Sequence, residues 1–288
     1  MNIKSTSSHK NSEPENRTLY IVGTPIGNLN DLSIRGLNIL KNVSLILCED
    51  TRQTKKIMSK YGFTNNLISF NKFNSFKKIP NIINDLNSGK SMALVSDAGM
   101  PSICDPGENL VSNAKQNRIN VICIPGPCAA ITAVVSSGLP SSKFIFEGFI
   151  PKKKSERDKV LFEISKNEKT TVIYESPHRL IKLLKLLKVH CGGKREIQVF
   201  RELTKRYEEN IGNTIDEVLL NLEGKEILGE ITLVIKGLQK MMPNSEFDKD
   251  FLKNELKELV EAGLSLSAAS RYLAKKNKLS KSLIYKFY

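Results

Sequence analysis

Apolar runs of three or four residues, each followed by a stretch with helical spacing, recur along most of the chain and constrain its fold more than any other feature. Segments 19–22, 45–48, 92–95, 121–124 and 144–146 are apolar throughout instead of alternating, so as strands they need cover on both faces. That is the condition of a mainly parallel sheet sandwiched between helices. Segment 31–42 sets Leu32, Leu37 and Leu40 on one helical face, and 79–87, 109–116 and 128–137 supply three more helices. The pattern restarts after Gly138-Leu139-Pro140. A helix capped by Ser155, with Asp158 completing a capping box, is followed by strands at 171–174, 197–200 and 230–235 and helices at 180–189 and 216–222. The expected architecture is α/β, with subdomains at 18–140 and 141–237, a flexible extension at 1–17 and a helical tail at 238–288.

The remaining composition narrows the class. No apolar stretch approaches the ~18 residues of a membrane-spanning helix, and the polar first 17 residues lack the apolar core of a signal peptide. A cytoplasmic protein is expected. Five cysteines without a C-x-x-C pair, and three histidines, fit neither a disulfide framework nor a metal centre, so packed thiols and no metal are expected. The formal net charge of +14 points to an anionic partner or to a solvated basic surface. It is spread out: residues 17–140 hold 13 cations against 7 acids, 141–237 hold 19 against 15, and 238–288 hold 10 against 6.

Ligands bind at strand ends in an open parallel sheet, where backbone groups and helix N-termini converge. Three strand-end loops of the first half are rich in Gly and Pro: Gly23-Thr24-Pro25-Ile26-Gly27-Asn28, the stretch from Ser96-Asp97-Ala98-Gly99-Met100-Pro101 to Cys104-Asp105-Pro106-Gly107, and Pro125-Gly126-Pro127-Cys128-Ala129-Ala130. Any one of them alone also reads as turn punctuation. The first has neither the G-x-G-x-x-G spacing of a dinucleotide fingerprint nor the G-K-[ST] ending of a phosphate loop, which disfavours NAD and ATP. What remains is a cleft of backbone and small side chains with one placed carboxylate, Asp97, suited to a ligand with hydroxyl and amine donors and an adenine-like ring. The other role open to Asp97 is to cap a turn.

These loops, together with Cys48-Glu49-Asp50-Thr51-Arg52, Tyr174-Glu175-Ser176-Pro177-His178-Arg179, Arg201-Glu202-Leu203-Thr204-Lys205 and Gly229-Glu230-Ile231-Thr232, resemble in order the motifs of the tetrapyrrole-methylase superfamily. The resemblance is strongest to its ribosomal RNA small subunit methyltransferase I branch and covers about residues 19–237. It implies two α/β subdomains with S-adenosyl-L-methionine in the cleft between them, and a homodimer. The reaction it implies is 2′-O-methylation of a cytidine in the decoding region of 16S ribosomal RNA, cytidine-1402 in the family. Carried over position by position, the cofactor would meet Pro25, Ile26, Asp97, Met100, Cys128 and Ala129 from the first subdomain. Tyr174, Glu175, Glu230 and Ile231 would meet it from the second.

A ribose hydroxyl is a poor nucleophile, so a base is expected near it. Glu49, Asp50 and Arg52 form the first candidate region, with Glu175 and Arg201-Glu202 next. In the alternative reading Asp50 caps a helix and Arg52 pairs with a neighbouring acid. For RNA, the candidates are Lys152, Lys153, Lys154 and Arg157 at the subdomain junction, with Arg179, Arg201, Lys205 and Arg206; the first four also read as a solvated loop. Residues 264–288 carry six cations and no acid. Among these, Arg271, Lys275 and Lys276 belong to a helix-turn-helix-like module that contacts RNA, or to a basic hairpin packed on its own domain through Leu266, Ala269 and Leu273. Two rival functions stay open: a corrin or porphyrin carbon methylase of the same fold, and a non-catalytic RNA-binding or ribosome-assembly factor.

Overall fold

The computed structural model describes residues 13–239, 249–277 and 279–288, and the chain divides after Leu238 into two compact units. In the first unit, β1 (Thr18–Val22), β2 (Leu45–Cys48), β3 (Leu67–Ser69), β4 (Met92–Val95) and β5 (Asn120–Ile124) form a parallel sheet in the order β3-β2-β4-β1-β5. Their side chains split by the period of two. Leu19, Ile21, Leu47 and Leu94 pack under α3 (Ser75–Asn87) and α4 (Glu108–Gln116). Tyr20, Val22, Ile46, Ala93 and Val95 pack under α1 (Ile34–Asn42) and α2 (Thr51–Lys60).

Boundaries differ from expectation for local reasons. A single 3-10 turn, Leu29–Asp31, precedes α1, which starts only where the Ser33 side chain accepts from the Gly36 N–H. Helix α3 starts four residues before 79 and carries Pro80 in its interior. Strand β3 carries no sequence signal, and helix α2 shows in the sequence only through its cap at Asp50. The first is three residues at a sheet edge, and the second is polar except for the buried Ile57 and Met58. Of the extension at 1–17, residues 1–12 lie outside the described residues. Residues 13–17 are held: Arg35 donates to Glu13 and Arg17 to Asn87.

The second sheet has the order β6-β7-β10-β8-β9, built from β6 (Phe144–Phe149), β7 (Thr170–Glu175), β8 (Glu196–Arg201), β9 (Glu209–Thr214) and β10 (Ile231–Ile235). Only β6–β7 is parallel; the other pairs are antiparallel. One face lies under α6 (Lys154–Lys166), α7 (Pro177–Cys191) and α8 (Ile215–Asn221), with Leu161, Leu184 and Val218 against Ile173, Val199 and Leu233. Ser155 does not cap α6: the N-cap position is Lys153 and makes no side-chain cap bond. Helix α8 starts one residue early because the Thr214 side chain accepts from the Glu217 N–H. Strand β9 is polar except for Ile211, so only its pairing with β8 makes it a strand.

The other face of this sheet meets α5 (Ala129–Ser136), whose Ala130, Ala133 and Val134 pack on Val172, Val234 and Phe200. Ile26 and Leu203 join that cluster, so the first strand-end loop and the loop after β8 are sealed into one apolar seam between the sheets. The cysteines are less packed than expected: all are free, Cys48 is buried, and Cys104 and Cys123 are exposed.

The second unit contains α9 (Lys249–Glu261), α10 (Leu266–Asn277) and α11 (Lys281–Tyr285) around Leu252, Leu256, Ala269, Leu273, Ala274 and Ile284. It therefore has a small core of its own. Ser280 caps α11 by accepting from the Leu283 N–H. Among the described residues no helix is long and apolar enough to cross a membrane.

Candidate functional site

The strand order reverses direction between β4 and β1, and the loops leaving these two strands meet there. Thr24 N–H donates to the Gly99 carbonyl at 2.9 Å and Gly99 N–H returns a bond to the Thr24 carbonyl at 3.1 Å. The third loop closes on the first at a pair of glycines. A Cβ on Gly126 would stand 2.8 Å from Gly23 Cα, and one on Gly23 would stand 2.7 Å from Gly126 Cα. Only glycine at both positions lets the backbones approach this closely. The loop after β8 docks from the other subdomain, where Asn28 N–H donates to Thr204 Oγ1 at 3.1 Å.

These contacts frame a cavity of about 410 Å³, within the size range of small-molecule sites. Ile26, Asp97, Met100, Asp105, Cys128 and Ala129 line it from the first sheet's loops. Phe149, Tyr174, Glu175, Glu230 and Ile231 line it from the second sheet. Antiparallel register brings the latter group together, since Ile231 pairs with Glu175 on one side and with Arg201 on the other. A bulge between Phe146 and Gly148, with Gly148 at φ 65°, brings Phe149 to the wall. Tyr174 packs edge-on against Phe146 and Phe149, and its hydroxyl accepts from Ala130 N–H at 3.0 Å, in the first turn of α5. Burial pushes the Tyr174 phenol upward, so it stays neutral. Pro25, within the first loop, is buried and does not line the cavity.

Three carboxylates converge at the carboxyl edge of the first sheet. Asp105 is pushed up to about 6 by burial, with Glu49 and Asp97 adding repulsion. Glu49 and Asp97 are also raised, each chiefly by desolvation. Asp50 behaves oppositely. It caps α2, accepts from the Arg52 backbone and from its guanidinium at 2.6 Å, and is lowered to about 2 by those bonds. The capping role set out above is therefore what the structure shows for Asp50 and Arg52, and neither lines the cavity. Asp50 N–H also fixes Asp97 by donating to Oδ1 at 2.9 Å. Glu175 is buried, accepts from Ser176 N–H at 2.8 Å and lies 3.2 Å from Arg179 Nη2; burial raises it. No group among the described residues is arranged to hold a metal ion.

Sequence places Asp105 in the second strand-end loop but gives it no role, because its environment comes from residues such as Glu49 that are far away in the chain. It also gives no sign of Lys182, which joins Lys152, Arg157 and Arg179 around a second, smaller cavity. Several expected RNA contacts are already paired: Arg201 with Glu209, Lys205 with Glu202 and Glu230, Lys153 with Glu156, and Arg157 with Asp158. Arg206 lies over the Tyr207 ring. Lys152 and Lys154 are exposed with no acid partner among the described residues. In the second unit Lys276 pairs with Glu255, whereas Arg271 and Lys275 are exposed.

The model of the Tetrapyrrole (Corrin/Porphyrin) Methylases matches residues 18–219. The ribosomal RNA small subunit methyltransferase I of Thermotoga maritima is 47% identical over 219 residues, covering 76% of this chain and 98% of that protein. Proteins of the same name from Synechocystis and Bacillus subtilis are 39% and 41% identical, covering 93% and 92% of this chain and 95% and 90% of theirs. Among solved structures, a cobalt precorrin-4 methyltransferase superposes with a TM-score of 0.59 at 15% identity, over 76% of this chain and 95% of that one. A uroporphyrin-III C-methyltransferase from Thermus thermophilus, complexed with S-adenosyl homocysteine, gives 0.54 at 14%, over 76% and 97%.

Proposed function

The chain belongs to the tetrapyrrole methylase family, in its ribosomal RNA small subunit methyltransferase I branch, and from that premise we propose how its cavity methylates a ribose hydroxyl of 16S ribosomal RNA. The protein is an S-adenosylmethionine-dependent methyltransferase. Its residues fit that cofactor: apolar walls from Ile26, Phe149 and Ile231 suit an adenine ring, and Asp97 and Glu230 suit ribose hydroxyls and an ammonium. The carboxylates around the cavity also favour a cationic ligand over a polyphosphate. When bound, the cofactor supplies an electrophilic methyl group on a cationic sulfur.

The chain's own residues do the rest. The Thr24–Gly99 bridge and the Gly23–Gly126 contact fix three loops so that the nucleophile can be aligned with little reorganisation. Phe149, Tyr174 and Met100 exclude water from the cavity wall. Asp105 takes the proton of the 2′-hydroxyl, since it lines the cavity and burial pushes it up to about 6, where a carboxylate is a stronger base than usual. Asp50, held ionised by Arg52, is a poor base and keeps the role of fixing Asp97. Glu49 is not part of the cavity lining, and its charge helps to raise Asp105.

The single observation that carries the reading is the lining of one cavity by Asp97, Asp105 and Glu175 from two sheets. Asp97→Ala is expected to weaken cofactor binding ~10-fold in calorimetry, the worth of a charged hydrogen bond, while Glu49→Gln leaves cofactor binding intact and lowers turnover. Cofactor affinity unchanged in Asp97→Ala would remove that residue from the pocket.

In the first unit RNA approaches over Lys152, Lys154 and Arg179; the second unit, taken by itself, offers Arg271 and Lys275, with Lys276 partly neutralised. Deleting residues 249–288 is expected to weaken small-subunit binding more than cofactor binding; equal affinity for subunits would assign the tail a purely structural role. An assembled small subunit as substrate, a homodimer and a cytoplasmic location complete the reading. The exposed Ile131 and Val135 of α5 are apolar surface that a second copy would cover.

A further inference from the structure

Beside the methylation cavity lies a second one of about 210 Å³. Glu175 lines both. The second cavity is lined by Lys152, Arg157, Arg179 and Lys182, with Leu183 in its apolar floor. Against these four cations the lining itself contains one carboxylate, Glu175, and Asp158 neutralises Arg157 from outside. Lys152 and Lys182 have no ion-pair partner among the described residues. The concavity therefore carries uncompensated positive charge.

Its geometry is built from two elements. Arg179, Lys182 and Leu183 share one stripe of α7, three and four residues apart. Arg179 is positioned at its root: Nη2 donates to the Ile150 carbonyl at 2.7 Å and lies 3.2 Å from the buried Glu175 carboxylate. A guanidinium has five N–H donors in a fixed fork, so those left over remain available to a ligand. Lys152 comes from the segment between β6 and α6. Glu175 Oε2 is buried without a hydrogen bond. It separates an acidic cavity from a basic one.

We propose that this basic cavity seats a backbone phosphate of the substrate RNA, the one esterified to the 3′ carbon of the methylated ribose. The inference rests on the methyltransferase reading above and deepens it. The 3′ carbon is bonded directly to the carbon that carries the 2′-hydroxyl, so seating this phosphate on the basic side of Glu175 brings the hydroxyl to the rim of the cofactor cavity. The cavity has room for a phosphodiester, and a single negative charge suits its excess of cations. Lys182 and Lys152 are positioning residues here: they hold the strand and do not touch the reacting atoms.

The test is a cycle that pairs protein charge with ligand charge. One arm uses Lys182→Gln and the double variant with Lys152→Gln; both residues are exposed, so the fold is retained. The other arm uses substrate RNA in which only that phosphate is a neutral methylphosphonate. On unmodified RNA, Lys182→Gln is expected to raise KM ~10-fold with kcat nearly unchanged, and to reduce the slope of log affinity against log salt by about 1. Methylphosphonate RNA is expected to raise the wild-type KM by a similar factor and to add less than ~2-fold in the double variant, because the partner is already gone. Full additivity of the two changes would overturn the inference while leaving the methyltransferase reading intact. Absence of RNA methylation by the wild type would overturn both, and cofactor affinity measured in the same variants separates that outcome from a damaged protein.

Discussion

Asn in place of Asp105 is expected to lower kcat for RNA methylation by about 10²- to 10⁴-fold, the usual worth of a positioned general base. Affinity for S-adenosylmethionine should change little. Asp105 lines the cavity, and burial together with Glu49 and Asp97 pushes it up to about 6. It is mostly ionised at neutral pH yet basic enough to accept a proton. As pH falls through about 6 the carboxylate protonates, so wild-type kcat should fall there, and the Asn variant should lose this limb. Stability supplies an independent readout. The folded-state pKa lies above the ordinary value of 3.8, so the group's contribution to stability is present below about 4 and lost as pH rises through about 6. At pH 8 the neutral Asn variant should therefore melt no lower than the wild type. An Asn variant with wild-type kcat and an unchanged acid limb would move the base to another group, Glu49 first.

The second large effect is expected at Gly126. Its missing Cβ would meet Gly23 Cα and the Gly23 carbonyl oxygen at 2.8 Å, and these are backbone atoms that cannot rotate away. Gly126→Ala should destabilise the protein by ~1–3 kcal/mol, the range for overpacked sites. It should also weaken cofactor binding by ~10-fold or more. Relief of the clash requires the first and third loops to separate, which displaces Ile26 on one side and Cys128 and Ala129 on the other, all of them in the cavity wall. Wild-type melting temperature and cofactor affinity in Gly126→Ala would show that the loops need not approach so closely.

Four of the five strands of the first sheet were legible, because β1, β2, β4 and β5 each hold a run of four consecutive apolar residues, as strands of a parallel sheet under helices do. Strand β9, with only Ile211 buried, carries no such signal, because its pairing with β8 is tertiary information. The cavity was legible in outline, since strand-end position and Gly/Pro content both follow from local sequence. The roles within it were not. Glu49, Asp50, Asp97 and Asp105 are all acids in strand-end loops, and what separates them is a cap and guanidinium for Asp50 against desolvation for the other three. The distribution of net charge was similarly incomplete. Arg201 and Lys205 read as free cations until the fold places Glu209 and Glu230 beside them. Lys182 was hidden in the basic, leucine-rich pattern of α7, where only the fold distinguishes it from Lys185.

The most direct test of the account is the chemical position of the transferred methyl group. Wild-type protein is incubated with methyl-labelled S-adenosylmethionine and, separately, with small ribosomal subunits, free 16S ribosomal RNA and a tetrapyrrole precursor, and the recovered RNA is then hydrolysed in alkali. A 2′-O-methyl group blocks attack of that oxygen on the neighbouring phosphate, so the account predicts label in an alkali-resistant dinucleotide with cytidine on its 5′ side. Label in alkali-sensitive mononucleotides, or in the tetrapyrrole alone, would contradict it.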